Sequence, residues 1–393
     1  MKTTICIFAC FLLFLSCSRR DVAEQKTHDR THALAAGLSN NNIYDIEQDS
    51  CGQIWFGTFR GLNRYDSRDF HHYFADHTDS LSLPHDQIRD LILDKKGRLW
   101  VGTVNGLCRY TDNDNFSRQP GADKGLVYQM EHGPDSTIII NINHSIKALH
   151  TSNDSVETLI EQLHLASVYS PRLHVDSAGT IWIIGNPAIL KYDFNKKCVA
   201  DSIPLPAMIK NSFRVGNDIW LSCDAGNMVF NTVSQEFCPM PGPMASHPLF
   251  KNAEISCVCR YEDSTYLIQT TSDGLFIYNR TAGELIHQNE NGFPFQAPDF
   301  NVSTIFTDVN NNIWFGAVDQ GFSAHYRYLD RFNNDNKLRT LMQGKSVVSA
   351  CYDNEQNLWM ATRSYGVFIY NVANGAVRNY MPDDVARKEP GKD

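Results

Sequence analysis

The stretch that decides the fold is DSCGQIWFGTFRGLNRY at positions 49–65. The same pattern returns about 45 residues later as DKKGRLWVGTVNGLCRY at positions 94–110. Both copies share an Asp-x-x-Gly turn, an apolar pair ending in Trp, a Gly-Thr step and a Gly-Leu-x-Arg-Tyr segment. Periods of roughly 40 to 45 residues are typical of propellers and solenoids. The sequence therefore predicts a repeat array that occupies most of the chain.

All six tryptophans of the chain belong to this pattern. They are Trp55, Trp100, Trp182, Trp220, Trp314 and Trp359. The gaps after Trp100 and after Trp220 are each about two periods wide. Each gap contains one degenerate copy, at 135–138 and 263–266, in which Ile138 and Tyr266 are expected to take the place of Trp. Eight copies are thus expected.

Within one copy, four short apolar segments alternate with turn residues, which is typical of an all-β fold. In the first copy they predict strands at 42–49, 53–58, 62–65 and 70–74. Asp at the first and Gly at the fourth turn position favour a tight turn in which the carboxylate accepts backbone N–H groups. The missing side chain of Gly57 lets the next blade approach closely. We expect the Trp of each copy to be buried between blades.

The predicted fold is an all-β β-propeller of four-stranded antiparallel blades. Seven blades are favoured, with the eighth copy left over as the last blade or the start of a second ring, and an eight-bladed ring is the alternative. The expected organisation is a signal peptide (1–18), a tether (19–36), blades one to seven (37–332), an eighth repeat (333–382) and a disordered tail (383–393).

The first residues predict export from the cytoplasm. Lys2 precedes an apolar run from Ile5 to Leu15, which is too short to span a bilayer and is followed by small residues. Phe14-Leu15-Ser16-Cys17 also resembles a bacterial lipobox. A soluble periplasmic protein and a lipoprotein anchored through Cys17 are therefore alternatives, and the anchor is the expected link to a membrane.

Charge and cysteine content exclude several classes of function. The formal net charge of −9 argues against binding to nucleic acid or to an anionic membrane surface. Eight cysteines lie beyond the predicted signal peptide and are scattered over the repeats, where we expect them to pack as small hydrophobic residues. Neither a disulfide nor a zinc site is expected from their spacing.

GLSNNNI at 37–43, together with the segments 49–58 and 61–66, resembles the two-component regulator propeller repeat. That repeat fills the periplasmic sensor half of bacterial hybrid two-component systems, many of which detect oligosaccharides released from polysaccharides. The resemblance extends over about residues 37–380 and implies a non-catalytic sensor of an oligosaccharide or another small ligand. Such sensors normally continue into a second propeller, a kinase and DNA-binding parts, so this chain is expected to be a truncated or free-standing sensor. Another propeller or a kinase subunit is then an expected partner.

In a propeller, the turns between the second and third strands and the links between blades share one face. The mixture of Arg, Asn, Asp and His in these turns suits recognition of sugar hydroxyl groups, although the same residue types are common turn formers. The predicted ligand-binding residues are Arg60, Asn105, His144, Asn186, Asp224, Asp273, Asp319 and Arg363.

Two other functions stay open at this stage. One is an interaction scaffold for proteins, and the other is a lyase-type propeller enzyme that uses a divalent metal. His71, His72, His132, His144 and His174 are the candidate ligands for such a metal. No paired carboxylates or metal-ligand spacing single them out, so we predict no enzyme activity, no catalytic residue, no metal and no cofactor.

Overall fold

The computed structural model describes residues 37–111, 113–165, 171–250, 252–327, 336–342, 345, 347–353, 355 and 357–381. Within these ranges, strands pair into eight antiparallel sheets that follow one another along the chain. The chain divides into two compact units, of which the first ends at His325 and the second begins at Tyr326. The expectation of an all-β protein made of antiparallel blades is confirmed. The predicted signal peptide and tether, including Cys17, lie outside the described residues.

Seven sheets belong to the first unit, and we number them as blades one to seven. The strands of blades one to four are β1 (Ile43–Gln48), β2 (Ile54–Thr58), β3 (Leu62–Tyr65), β4 (Phe70–Tyr73); β5 (Ile88–Leu93), β6 (Leu99–Thr103), β7 (Gly106–Thr111), β8 (Asn115–Arg118); β9 (Val127–His132), β10 (Thr137–Ile142), β11 (Ser145–His150), β12 (Ser155–Ile160); and β13 (Arg172–Val175), β14 (Ile181–Gly185), β15 (Ala188–Asp193), β16 (Cys198–Pro204).

The strands of blades five to seven are β17 (Ile209–Val215), β18 (Asp218–Cys223), β19 (Gly226–Asn231), β20 (Glu236–Pro239); β21 (Ile255–Glu262), β22 (Thr265–Thr270), β23 (Gly274–Asn279), β24 (Glu284–His287); and β25 (Val302–Thr307), β26 (Ile313–Ala317), β27 (Phe322–His325). A short 3-10 helix, Pro134–Ser136, precedes β10, and a short helix α1, Gly242–Ser246, lies between blades five and six. Blade seven has three strands in the described part of the chain.

The first strand of each blade lies beside the first strand of the next, so these strands surround the centre of the first unit. Contacts run from β1 to β5, β9, β13, β17, β21 and β25, and β25 then contacts β1. Blade seven therefore packs on blade one, and the ring has seven blades. The eighth sheet belongs to the second unit.

Hydrogen bonds and aromatic packing close this ring. Ser303 Oγ donates to the carbonyl oxygen of Ile43 at 3.0 Å, and Gly321 N donates to Asn41 O at 2.9 Å. The rings of Phe56 and Phe322 lie 4.8 Å apart between centroids. Blade one is thus held to blade seven although the two are at opposite ends of the unit's sequence.

The glycine of the repeat lies where two blades approach most closely. A Cβ added to Gly57 would lie 2.8 Å from Ile88 Cγ2 of blade two, which is closer than real Cβ contacts come. The same holds for Gly316, whose Cβ would lie 2.8 Å from Ile43 Cγ2 across the closure of the ring. The expectation that this position lets the next blade approach is confirmed.

Where a repeat has Asp six residues before its Trp, the Asp side chain fixes both the turn and the tryptophan. Oδ1 of Asp176 accepts the backbone N–H groups of Ala178 and Thr180, both at 2.9 Å, as the turn pattern predicts. Its Oδ2 accepts the indole N–H of Trp182 at 2.8 Å, an interaction that sequence analysis did not predict. Trp182 is only 1% exposed, so the carboxylate satisfies an N–H group that water cannot reach.

The two degenerate copies differ from the expected alignment by one residue. Ile139 and Leu267, rather than Ile138 and Tyr266, pack against the following blade as Trp does elsewhere. Ile138 instead packs with Trp100 of the preceding blade. Because successive side chains of a strand point to opposite faces, a shift of one residue exchanges the two faces.

The expectation that the cysteines are packed small hydrophobic residues is only partly correct. Cys108 and Cys223 are buried, whereas Cys257 and Cys259 are partly buried. The remaining four are exposed: Cys51, Cys198, Cys238 and Cys351. These lie in a turn or on outer or uncovered strands, where the repeat has no packing requirement.

The second unit contains the eighth sheet and one helix. The sheet is formed by β28 (Val347–Tyr352), β29 (Asn357–Thr362), β30 (Val367–Asn371) and β31 (Val377–Tyr380), and the helix α2 is Asn336–Met342. Leu338 of α2 packs against Met360 and Phe368 on one face of the sheet. Trp359 is 38% exposed, whereas the motif tryptophans of the ring are 1–3% exposed. No helix in the described ranges is long and apolar enough to cross a membrane.

Candidate functional site

The turns between the second and third strands of the blades lie at one end of the ring, together with the links between blades. Gly61 N in the first of these turns donates to Asp86 O of the following link at 2.7 Å. Leu163 N of another link donates in the same way to His144 O at 2.7 Å. This end of the ring therefore consists of turns and links, which are the segments that vary most easily without disturbing the blades.

A polar cleft of about 440 Å³ opens at this end beside blade six. Its floor is the turn between β22 and β23, and its walls come from the link before the blade and the link after it. The lining residues are Leu249, Gln269, Thr270, Thr271, Ser272, Asp273, Gly274, His287, Gln288, Asn289, Pro298, Asp299, Phe300 and Asn301. Its volume lies within the range of roughly 300–1,000 Å³ that is usual for sites of small ligands, and its lining is more polar than in most of them.

The turn that forms the floor is held by its own side chains. Thr270 Oγ1 donates to Gly274 O at 3.0 Å and accepts from Asp273 N at 3.1 Å. Gly274 has a φ of +78°, and a Cβ there would lie 2.7 Å from the side chain of Gln288. The glycine therefore serves both the turn and the packing of the wall. The backbone beneath the Asp273 carboxylate is thereby fixed.

Gln288 and His287 attach the wall to this turn. Gln288 Oε1 accepts Leu275 N at 2.7 Å, and its own backbone N–H donates to Leu275 O at 2.9 Å. His287 is 5% exposed, and its Nε2 lies 2.7 Å from the carbonyl oxygen of Asp273. A carbonyl can only accept, so Nε2 carries the proton, while Nδ1 faces the backbone N–H of Asn289 at 3.5 Å.

The rest of the lining combines apolar and polar groups. Pro298, Asp299, Phe300 and Asn301 follow one another in the link that leads into blade seven, and Leu249, which is 43% exposed, comes from the link before blade six. The cleft therefore offers apolar surface beside carboxylates, amides and hydroxyls. Such a combination can hold the C–H face of a sugar ring while accepting and donating hydrogen bonds at its edge.

Of the eight residues predicted from sequence, Asp273 alone is part of this cleft. All eight lie in turns between second and third strands, one in each sheet. Arg60, Asn105, His144, Asp224, Asp319 and Arg363 are exposed, and Arg363 belongs to the second unit.

Asn186 and His144 contact other parts of the described chain through their side chains. Asn186 binds the backbone of Ile209 in blade five through both ends of its amide, at 3.0 and 3.1 Å. His144 Nε2 lies 3.3 Å from the hydroxyl of Tyr128 in the same blade. Asn186 is thus a link between blades rather than an open binding group.

Several lining residues were not predicted from sequence. Gln288 and Asn289 directly follow the last strand of blade six, and Asp299 and Asn301 lie within the last three residues before the first strand of blade seven. The signal that could have identified them is the pair of long links around this blade, at 240–254 and 288–301. The prediction considered only the turns.

A second group of carboxyls lies on the first strands around the centre of the ring. Burial raises the pKa of the Asp45 carboxyl to about 6 and that of Glu131 to about 7. Burial and the charge of Asp45 raise the pKa of Asp90 as well. Asp45 Oδ2 accepts the backbone N–H of Leu91 in blade two at 2.8 Å, and Asp90 accepts from Met130 in blade three. These two carboxyls thus connect neighbouring blades.

The histidines considered for a metal site do not form one. His174 is buried with its Nε2 2.8 Å from Ser212 Oγ, and burial lowers its pKa to about 3. His71 and His72 lie on β4, where His72 Nε2 contacts the carbonyl oxygen of Gly37 at 2.7 Å. In the described part of the chain, no group of three or more His, Cys, Asp or Glu side chains is placed to hold a metal ion.

Comparison with known families identifies the repeat. The family model of the two-component regulator propeller matches residues 37–60 and 82–105. Histidine kinase P4 of Formosa agariphila is 48% identical to this chain over 44 residues, which are 11% of this chain and 3% of that protein.

Solved structures of similar fold include extracellular domains of two-component systems from Bacteroides thetaiotaomicron. The extracellular domain of the hybrid two-component system BT3049 has a TM-score of 0.58 at 21% identity, and that of BT4673 has 0.57 at 18%. Each similarity covers 88% of this chain but only 48% and 46% of the respective structures. PorZ, a surface component of the type-IX secretion system of Porphyromonas gingivalis, has a TM-score of 0.54 at 11% identity over 87% of this chain and 59% of its own.

These matches agree with the repeat that the sequence suggested and with the blades that the structure shows. The chain spans about half the length of the two-component structures that it resembles, and a small fraction of the kinase. The chain is a β-propeller that carries two-component regulator propeller repeats, at residues 37–60 and 82–105.

Proposed function

We propose that this chain is a non-catalytic, ligand-sensing propeller of the bacterial periplasm that contributes to two-component signalling. The observation that carries the proposal is the polar cleft of about 440 Å³ beside blade six, on the face formed by the turns and links. The two matched repeats and the similarity in fold to two-component extracellular domains support the signalling role.

An oligosaccharide is the ligand that the cleft suits best. Its hydroxyl, amide and carboxylate groups match the hydrogen bonding of sugar hydroxyls, and Phe300 with Leu249 offers apolar surface for a ring face. The Asp45 and Asp90 carboxyls, whose pKa values burial raises, lie on the first strands of the ring, where they accept backbone N–H groups of neighbouring blades. They do not converge in the cleft, which favours binding over catalysis.

A thermal-shift screen of the full chain against a broad oligosaccharide panel tests this function. A ligand at 100 times its Kd adds about 2.7 kcal/mol to the free energy of unfolding, which for a domain of this size raises Tm by roughly 3–5 °C. If no sugar shifts Tm and crosslinking in cells recovers a protein bound to the turn-and-link face, the sensor proposal is wrong and a scaffold takes its place.

Export is part of the same proposal. Processing at the small residues around Ser16 would release a soluble periplasmic protein, whereas acylation of Cys17 would anchor it. Mass spectrometry of the mature N-terminus distinguishes the two, because only the lipoprotein begins with a modified cysteine. A chain that keeps its first eighteen residues would contradict export.

A further inference from the structure

We infer that the centre of the ring, at the end formed by turns and links, binds a carboxylate or sulfate group through the guanidinium groups of Arg89 and Arg172. Neither residue lines the blade-six cleft, so this central site goes beyond the proposed function. The inference comes from a departure from the repeat at Arg172, and from two buried N–H groups that have no partner in the described part of the chain.

Both arginines lie where first strands leave the links between blades. Arg89 is the second residue of β5, and Arg172 is the first residue of β13. The ionisable side chains of Asp90 in blade two and Cys257 in blade six both act electrostatically on Arg172, although neither blade is next to blade four. Since the first strands surround the centre of the ring, the head group of Arg172 lies near the axis, at the end formed by turns and links.

Arg172 stands where the repeat uses a hydrogen-bond acceptor to join two blades. At this register position of blades one to three, a side-chain oxygen accepts a backbone N–H of the following blade, as Gln129 Oε1 does from Leu173 N at 2.8 Å. A guanidinium group cannot accept. The corresponding N–H in blade five, on Ser212, is instead accepted by Asn211 Oδ1 of the same blade at 3.0 Å. The blades are thus joined without Arg172, and positions that break a structural rule are often functional.

Both guanidinium groups have donors to offer an anion. Nε of Arg89 and Nε of Arg172 are buried and donate no hydrogen bond within the described part of the chain. A buried N–H group without an acceptor is unfavourable, and a bound oxyanion supplies the acceptor. Each side chain as a whole is only partly buried, so solvent reaches part of it. Arg89 Cζ lies 4.8 Å from the centroid of the Tyr44 ring, and this contact orients its head group.

The charges around the two arginines favour an anion between them. Burial lowers the pKa of the Arg172 guanidinium, the Asp90 carboxylate opposes this shift, and the positive charge of Arg89 adds to it. The two cations therefore repel each other. Asp45 and Asp90 each accept a backbone N–H of the next blade, and in the ranges that the structure describes neither forms an ion pair with an arginine. Burial raises the pKa of both carboxyls and so reduces their negative charge. A carboxylate or sulfate would relieve the repulsion and can bind a guanidinium group through two oxygens.

The test is titration calorimetry of the full chain with two probes, D-glucuronate and inorganic sulfate, at constant ionic strength. D-Glucose is the neutral counterpart of glucuronate, and chloride is the reference for sulfate. Arg172→Gln and Arg89→Gln remove one charge each, whereas Arg172→Lys keeps it. The control is Arg118→Gln, because Arg118 is exposed at the end of the outer strand β8. The melting temperature of each variant verifies that it is folded.

We expect an anionic probe to bind the wild type and Arg118→Gln with affinities within about twofold of each other, and glucose not to bind at the central site. Arg172→Gln and Arg89→Gln should each weaken binding at least about tenfold, because each removes a charged donor. Arg172→Lys should lose less, because it keeps the charge but not the paired donors. Sulfate that competes with glucuronate would show that the oxyanion alone is recognised, whereas binding of glucuronate only would show that the sugar ring contributes.

Two results would overturn the inference. One is that neither glucuronate nor sulfate binds the wild type, and the other is an affinity that Arg172→Gln or Arg89→Gln leaves unchanged. Both results would leave the proposed function intact, because the two arginines do not line the blade-six cleft.

Discussion

Closure of the ring between blades seven and one can be tested with a double-mutant cycle on Gly316 and Ile43. Gly316→Ala places a Cβ 2.8 Å from Ile43 Cγ2 and 2.7 Å from Thr304 Cγ2. The backbone of Gly316 is not in the left-handed region, so the cost is steric, and overpacking of this kind costs about 1–3 kcal/mol. Ile43→Ala removes a side chain that is 0% exposed, which costs about 2–5 kcal/mol.

If the two residues touch, removing Ile43 Cγ2 relieves part of the strain caused by Gly316→Ala. The double variant should then lose less free energy of unfolding than the two single variants lose together, by about 0.5 kcal/mol or more. The relief is partial because the contact with Thr304 remains. Urea unfolding of the full chain, followed by tryptophan fluorescence and extrapolated to water, measures the four free energies.

Gly102→Ala supplies the matched control. Its Cβ would meet Val127 of blade three at 2.6 Å, at the same position of the repeat but in another interface. Gly102→Ala and Ile43→Ala should therefore be additive within about 0.5 kcal/mol. Additivity of Gly316→Ala with Ile43→Ala as well would refute the closure of the ring between blades seven and one.

Three further predictions concern the turns, the centre and the second unit. Asp176→Ala should lower the free energy of unfolding by about 1–3 kcal/mol, because it leaves the buried indole N–H of Trp182 without a partner. Asp263→Ala, in a repeat without Trp, is the control. In the same urea titration it should change the free energy of unfolding by less than about 0.5 kcal/mol. Burial raises the pKa of Glu131 to about 7, above the ordinary value of a glutamate, so the native state binds the extra proton and this contribution to stability is lost as pH rises from about 5 to 8. Glu131→Gln should therefore gain about 1–2 kcal/mol over the wild type across that interval, and a constant difference between the two proteins would contradict the burial of this carboxyl. Trp359→Phe should remove most of the fluorescence that acrylamide quenches, because Trp359 is 38% exposed, and unchanged quenching would show that it is covered in solution.

The repeat pattern was sufficient to predict the blades because its residues have one physical role wherever they occur. Gly57 must lack a side chain so that Ile88 can approach, and the turn carboxylates must accept backbone N–H groups. The hydrogen bond that the indole N–H of Trp55 donates to Asp49 was not predicted, although Asp lies six residues before Trp in five of the six copies that contain Trp. The Asp lies in a turn and the Trp lies in the following strand, so the hydrogen bond between them depends on the side-chain geometry of both elements.

Sequence was least informative where the repeat is degenerate and where function depends on links. In blades three and six, the Trp position could be placed only to within one residue, and the structure assigns it to Ile139 and Leu267. The cleft depends on links that have no repeat pattern, so Asp273 was predicted but Gln288 and Asp299 were not. Their convergence follows from the position of two long links around one blade, which no local pattern encodes.

The measurement that tests the central claim most directly is the position of a bound glycan in a crystal structure of the full chain. The glycan to use is the one that raises Tm most in the screen. We expect density in the blade-six cleft, with a sugar hydroxyl within about 3 Å of the Asp273 carboxylate and a ring face against Phe300. Density on another blade, with the blade-six cleft empty, would contradict it.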